Sequence, residues 1–366
     1  MSHMTCGFIG LGLIGGSIAK AIRKFYPNTI IIAYDVNKAA LEQARRENAV
    51  DVTAENIDEN FSSCDYIFLC APVQYNAENL IAVREILSEQ CILTDVGSVK
   101  TTIHESVQNM GLEHCFIGGH PMAGSERVGF INSKAELLEN AYYILTPASS
   151  VPQEKIERFQ QLITGLGAIP LTLDCGQHDY VTAAVSHLPH VVASSLVNLI
   201  QKSDSEDGIM RMVAAGGFKD ITRIASSSAV MWQQICLTNG QNISSLLSNY
   251  IQTLTEFKDV IDRQDCDALY QLFDSARVYR DSFTNVSSGP IKRSYSINVD
   301  IADRAGALAH IVTMLAEQAL SIKNIAITHN RESEDGVLRI EFYQEDSMRD
   351  GVQILKNSGY NVHTRD

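Results

Sequence analysis

Four polar clusters, far apart in the chain, hold side chains that can do chemistry. They are Asp95-Val96-Gly97-Ser98, Gly118-Gly119-His120-Pro121-Met122-Ala123-Gly124-Ser125-Glu126, Ser186-His187-Leu188-Pro189-His190, and Gly216-Gly217-Phe218-Lys219-Asp220-Ile221-Thr222-Arg223. A reaction that takes hydride from an alcohol carbon needs a group to accept the hydroxyl proton, and histidine suits that task near neutral pH. His120, which follows an apolar run and two glycines and precedes a proline, is the candidate base. Ser98 can hold the same hydroxyl or orient the imidazole; otherwise it only ends its strand. Arg223, through its two-pronged donor fork, and His187 can bind carboxylates. Their structural alternatives are an Arg223–Asp220 pair across one helical turn and a satisfied core histidine.

A hydride needs an acceptor, and Gly10-Leu11-Gly12-Leu13-Ile14-Gly15 supplies the means to hold one. The first glycine permits a tight turn, the second lets backbone approach a pyrophosphate, and the third lets helix pack close to strand. The helix N-terminus then offers unpaired N–H groups to the phosphates. Asp35, about 20 positions on, ends a β-branched run and can accept hydrogen bonds from ribose hydroxyls. A carboxylate there repels a 2′-phosphate, so NAD is favoured over NADP. Ala71-Pro72, after the apolar run 65–70, bring backbone to the cofactor side of the sheet.

These residues need a scaffold. Apolar runs at 6–9, 29–34, 65–70 and 91–95 alternate with helical patterns, which implies a Rossmann-type, doubly wound parallel α/β sheet with ligands at the carboxyl ends of its strands. Runs at 115–117, 142–145 and 168–171 extend it. From Asp174 the pattern turns helical, with apolar surface broad enough to cover a second subunit; a homodimer is expected. Residues 285–293 read as a linker. Beyond it the order βαββαβ predicts a small ferredoxin-like module. The expected domains are 5–173, 174–284 and 294–366.

Composition bounds the partners. The 366 residues are 45% hydrophobic and 20% charged, as in globular proteins. A net charge of -14 argues against nucleic acid or an anionic membrane surface as partner, so any anionic ligand must be held by a few placed cations. Eight scattered cysteines without a C-x-x-C pair read as reduced thiols of a cytoplasmic protein rather than disulfides or a metal site. No apolar stretch reaches the length of a membrane span, and no signal peptide is read before the first strand.

GLGLIGGS, DVGSVK, GGHPMAGSE, SHLPH and GGFKDITRIA stand in one order over nearly the whole chain, and in this the sequence resembles the prephenate dehydrogenase family. Asp303-Arg304-Ala305-Gly306-Ala307-Leu308 gives the C-terminal module the look of an ACT domain. The resemblance implies NAD-dependent oxidative decarboxylation of prephenate to 4-hydroxyphenylpyruvate and CO2. His120 matches the family's catalytic histidine and Ser98 its hydrogen-bonding serine, while His187 and Arg223 match substrate-binding positions. Lys219, a substrate-binding candidate or else a residue that only holds helix geometry, stands where the family motif more commonly has arginine, whose planar fork lysine lacks. Glu126 matches a gating or charge-tuning glutamate; its alternative is a solvated loop carboxylate. Arogenate is the runner-up substrate, and an amino-acid sensor with an inert dehydrogenase body is the alternative of another class. The ACT-like turn, with Asp303, Gly306, Ala307 and Leu308, implies a regulatory tyrosine, or else a module that only supports assembly.

Overall fold

The computed structural model describes residues 4–72, 75–124, 127–285, 295–302, 304, 306–329 and 336–364. The chain divides into two compact units, 1–278 and 279–366. In the first, strands β1 (Thr5–Ile9), β2 (Ile30–Tyr34), β3 (Val52–Thr53), β4 (Tyr66–Leu69) and β5 (Ile92–Asp95) form a parallel sheet in the order β3-β2-β1-β4-β5. This is the nucleotide-binding half of a doubly wound fold. Every residue of β1, β4 and β5 is buried, as expected of parallel strands covered on both faces. Phe8 and Phe68 are register partners on β1 and β4, and their rings stack at 4.9 Å. The two-residue β3 carries too little pattern to be read in the sequence.

A parallel bridge from Leu93 to Phe116 leads into β6 (Ile117–Pro121), followed by β7 (Tyr142–Pro147) and β8 (Ile169–Thr172). Here the structure corrects the expectation that these runs extend one parallel sheet: β6, β7 and β8 form a separate three-stranded sheet in which β7 runs antiparallel to β6 and parallel to β8. Among the described residues the segment between β6 and β7 has short 3-10 turns at Phe130–Asn132 and Ala135–Leu138 and no crossover helix to return the chain to the starting edge. Helix Gln153–Gly165 does so between β7 and β8, which are parallel.

The chain then becomes helical. Asp174 caps helix Cys175–Thr182 by accepting from the Gln177 N–H, a π-turn spans Ala183–His187, and helix Leu188–Ser203 continues. By length and composition the run 175–203 is apolar enough to cross a membrane, which corrects the expectation that no stretch reaches that length. Its buried polar residues His178, Asp179, Thr182 and His187 are hydrogen-bonded within the protein, and its apolar side chains such as Val185 and Leu199 lie exposed. Longer helices at Gly240–Asp262 and Cys266–Asn285 complete the domain.

The second unit holds β9 (Tyr295–Ile301), helix Ala307–Glu317, β10 (Ile322–His329), β11 (Gly336–Phe342), helix Glu345–Asn357 and β12 (Val362–Thr364). The strands form an antiparallel sheet in the order β10-β11-β9-β12, the split βαβ arrangement expected from the sequence. Alternate residues Ile297, Val299, Leu338 and Ile340 pack against Ile311, Leu315 and Leu355 of its helices. The expected linker, apart from Asn285, and Asp303 lie outside the described residues.

Candidate active site

The glycine turn has the shape its sequence implies. Gly10 has φ +96°, and a Cβ there would meet the Ala71 nitrogen at 2.6 Å, so the turn fits only glycine and lies against the loop after β4. A Cβ on Gly15 would meet the Gly10 carbonyl oxygen at 2.7 Å, so the third glycine lets the helix Leu13–Phe25 approach the turn. Around Gly12 the space is open. This residue caps the helix without any side-chain bond, and no acidic residue occupies the first turn. Open space beside a helix N-terminus suits a pyrophosphate. The Asp35 carboxylate is fixed by the N–H groups of Leu11 at 2.6 Å and Asn37 at 2.7 Å, which places it at the edge of the same turn. Gly10, Leu11, Gly12, Leu13, Ile14, Gly15, Asp35, Ala71 and Pro72 thus fit the adenosine-diphosphate half of a dinucleotide; Val73 and Gln74 lie outside the described residues.

A second group is built at the carboxyl end of β5, in the sheet that bears the glycine turn, and at that of β6 in the neighbouring three-stranded sheet. Asp95 is 1% exposed and Lys100 is fully buried, and their side chains form an ion pair. The Asp95 carboxylate also accepts from the Gly97 and Gly119 N–H groups, and Lys100 Nζ donates to the Gly119 carbonyl at 2.8 Å. The loop 95–100 is therefore closed on a buried polar staple, with Ser98 partly exposed in its middle. Burial lowers the Lys100 pKa, opposed by Asp95. The glycines before His120 have a steric reason: a Cβ on Gly118 would meet Thr146 Oγ1 at 2.3 Å, and one on Gly119 the Asp95 carbonyl oxygen at 2.7 Å.

His120 follows on β6, partly exposed. Its Nδ1 lies 2.8 Å from His178 Nε2, and His178 Nδ1 lies 2.8 Å from Asp179 Oδ1. The Asp179 carboxylate further accepts from the backbone N–H groups of Lys100 and Thr101, the start of helix Thr101–Asn109. Burial, with His178, Lys100 and His187 nearby, holds the His120 imidazole well below its usual pKa; Asp179 opposes this. Burial raises the Asp179 pKa, but hydrogen bonds from His178, Thr101 and Lys100 outweigh it, so the net shift is downward. The arrangement is an imidazole kept neutral and tied through Nδ1 to a buried His–Asp pair, which leaves Nε2 as the nitrogen that can accept a proton.

Comparison with known proteins gives this geometry a family. Residues 18–170 match the nucleotide-binding domain of prephenate dehydrogenase and 174–275 its dimerization domain. A prephenate dehydrogenase of Bacillus subtilis is 34% identical over 352 residues, covering 95% of this chain and 94% of that protein. The chain belongs to the prephenate dehydrogenase family. A solved prephenate dehydrogenase from A. aeolicus, in complex with hydroxyphenyl propionate and NAD+, is 31% identical with a TM-score of 0.73, covering 77% of this chain and 99% of that one. Synechocystis arogenate dehydrogenase is 28% identical with a TM-score of 0.69, covering 76% and 100%.

Within the prephenate dehydrogenase fold, the remaining expected site residues fare differently. His187 is 1% exposed, and its Nδ1 lies 3.2 Å from the Asn239 amide nitrogen, which also donates to the Asp179 carbonyl. Burial drives its pKa down to about 4. A ring so enclosed has no surface for a ligand, so the carboxylate-binding role expected of His187 is corrected to that of a core histidine. The π-turn explains the choice. Nine helical residues would set His178 and His187 on opposite faces, and the extra residue of the π-turn rotates the following helix by about 100°. His190 is the partly exposed histidine of the motif, stacked on Trp232 at 3.8 Å with its Nδ1 against the Ser186 carbonyl. Lys219 is exposed on helix Gly216–Thr222, and Arg223 is exposed at the start of the turn Arg223–Ser226; this helix and turn pack against Leu188–Ser203. Glu126 lies outside the described residues. Sequence reasoning missed His178, Asp179 and Asn239. Lys100 stood inside a recognised motif with no role, and its position five residues after a buried carboxylate was the available signal.

Proposed function

We propose that this protein is an NAD-dependent prephenate dehydrogenase that oxidatively decarboxylates prephenate to 4-hydroxyphenylpyruvate and CO2. The observation that carries this reading is His120, held neutral near the end of β6, the strand that follows the Leu93–Phe116 bridge to the sheet bearing the glycine turn. NAD, when bound, supplies the hydride acceptor. His120 Nε2 takes the proton of the substrate's ring hydroxyl, and Ser98 orients that hydroxyl from the loop closed by Asp95 and Lys100. Loss of hydride at this carbon makes the ring carboxylate a vinylogous β-keto acid, and aromatisation drives its departure. Arg223, Lys219 and the partly exposed His190 hold the carboxylates, and Glu126 keeps the charge-tuning role that the family resemblance implies. Production of NADH with prephenate tests the reading; no turnover with either cyclohexadienyl substrate sinks it.

A second reading, arogenate as preferred substrate, is favoured by the likeness to the Synechocystis enzyme. The ratio of kcat/KM for the two substrates decides. The C-terminal unit is read as an ACT domain that binds tyrosine beside Gly306, Ala307 and Leu308, where φ +87° at Gly306 turns the chain into its first helix. Tyrosine then lowers activity; unchanged rate and melting temperature on adding tyrosine would defeat this role. The helical domain is read as a homodimer interface, in line with its family description. Four cysteines, Cys6, Cys64, Cys91 and Cys115, are buried thiols whose pKa burial raises, which agrees with a reducing, cytoplasmic setting.

A further inference from the structure

We propose that His178 and Asp179 are positioning residues that decide which nitrogen of His120 carries its proton. The inference rests on His120 acting as the base. It begins at Asp179, whose carboxylate receives three donors, the N–H groups of Lys100 and Thr101 and the ring of His178, at 2.7 to 2.8 Å. A carboxylate facing two backbone N–H groups at a helix start is ionised and can only accept. His178 must therefore carry its proton on Nδ1. In the neutral ring this leaves Nε2 as an acceptor, and that atom lies 2.8 Å from His120 Nδ1. One of the two facing nitrogens has to donate, so His120 is protonated on Nδ1. Its lone pair then sits on Nε2, the nitrogen not engaged by His178.

The chain of bonds has one direction because it starts at a group that cannot donate. It is also rigid. Asp179 is anchored through its side chain to the start of helix Thr101–Asn109 and through its carbonyl to Asn239, while Thr182 Oγ1 bonds the His178 carbonyl. Both His178 and Asp179 are buried, so water does not compete for these bonds. When His120 Nε2 takes the substrate proton, the Nδ1–H bond to His178 persists, and the new positive charge is aligned with the Asp179 carboxylate through the intervening ring.

The opposite arrangement, with the proton on Nε2, would present a donor to the substrate hydroxyl and no base. Substitution of His178 by a residue without an acceptor removes the bias. His178→Leu is expected to lower kcat on the order of 10²-fold, the lower end of what a general base contributes, with the Kd for NAD unchanged. His178→Gln, whose amide can accept from His120 and donate to Asp179, is expected to recover activity to within about tenfold of the parent. Nitrogen-15 histidine spectra of the full-length protein should show His120 protonated on Nδ1, and this readout does not depend on substrate. The proposal is overturned by a His178→Leu enzyme with parental kcat, by His178→Gln falling as far as Leu, or by Nε2-protonated His120. If Leu at 178 prevents folding, the Gln variant and the parent spectrum still decide. Absence of turnover with prephenate or arogenate would defeat the functional reading and leave the spectroscopic test of the tautomer standing.

Discussion

His120 and His187 carry the same side chain to opposite ends. One is partly exposed on a strand and bonded through Nδ1 to His178; the other is enclosed beside Asn239. Replacing His120 with Asn is expected to lower kcat by on the order of 10²- to 10⁴-fold, the usual weight of a general base, while calorimetric NAD affinity stays unchanged. Since the His120 pKa is depressed, the base stays neutral further into acid than a free histidine, so the acid limb of the kcat profile should fall below about 6.5. His187 acts on stability instead. Its folded pKa of about 4 lies below the unfolded value near 6.5, so the unfolded chain takes up the proton first as pH falls. Stability from this group is complete above about 6.5 and is lost between there and 4, by roughly 3 kcal/mol. Melting temperatures of His187→Gln across that window should decline less steeply than those of the parent. His120 was legible because two glycines and a proline frame it at a strand end. His187 was not, because a single inserted helical residue decides which histidine of the motif faces inward.

At the scale of elements, the site depends on how closely β6 approaches β5. A methyl on Gly119 would meet the Asp95 carbonyl oxygen at 2.7 Å and the Tyr143 ring at 2.9 Å, and neither can yield cheaply inside a sheet. Gly119→Ala is expected to cost about 1–3 kcal/mol in urea unfolding and to lower kcat by moving His120 away from its partner. The staple between Asp95 and Lys100 is the other constraint. Lys100→Met would leave a buried carboxylate without its cation, a loss of about 3–5 kcal/mol, read as a lower urea midpoint. The strand and helix alternation was legible because parallel strands buried on both faces are continuous apolar runs. The reversal of β7 was not, because the direction of a strand depends on the path of its connection.

For the whole molecule, the helical domain leaves Leu237, Ile251, Leu254, Tyr270 and Phe273 exposed, 49 to 72% of each. Side chains of this size in water are the surface that a second subunit would cover. A homodimer that buries this surface is expected to fall to monomer on Ile251→Asp, read by light-scattering chromatography; an unchanged mass would place the interface elsewhere. The net charge of -14 leaves binding of anionic ligands to a few placed cations, and Lys219 and Arg223 lie exposed beside helix Leu188–Ser203. The C-terminal unit keeps its own core of strand and helix residues, which is why its βαββαβ order could be read from local patterns alone.

What the sequence determined by itself was whatever local pattern encodes: the glycine turn with Asp35, the identity of the candidate base, the change from alternating to helical architecture, and the small antiparallel module. These depend on backbone permissiveness and on side-chain periodicity, which act between near neighbours in the chain. Only the tertiary structure decided that His178 and Asp179 stand behind His120, 58 and 59 positions away, that Lys100 neutralises Asp95 in the interior, and that Asn239 closes over His187. Contacts of that kind are set by how helix Cys175–Thr182 packs on the sheet edge, and the hydrogen bonds that make them follow from burial rather than from spacing.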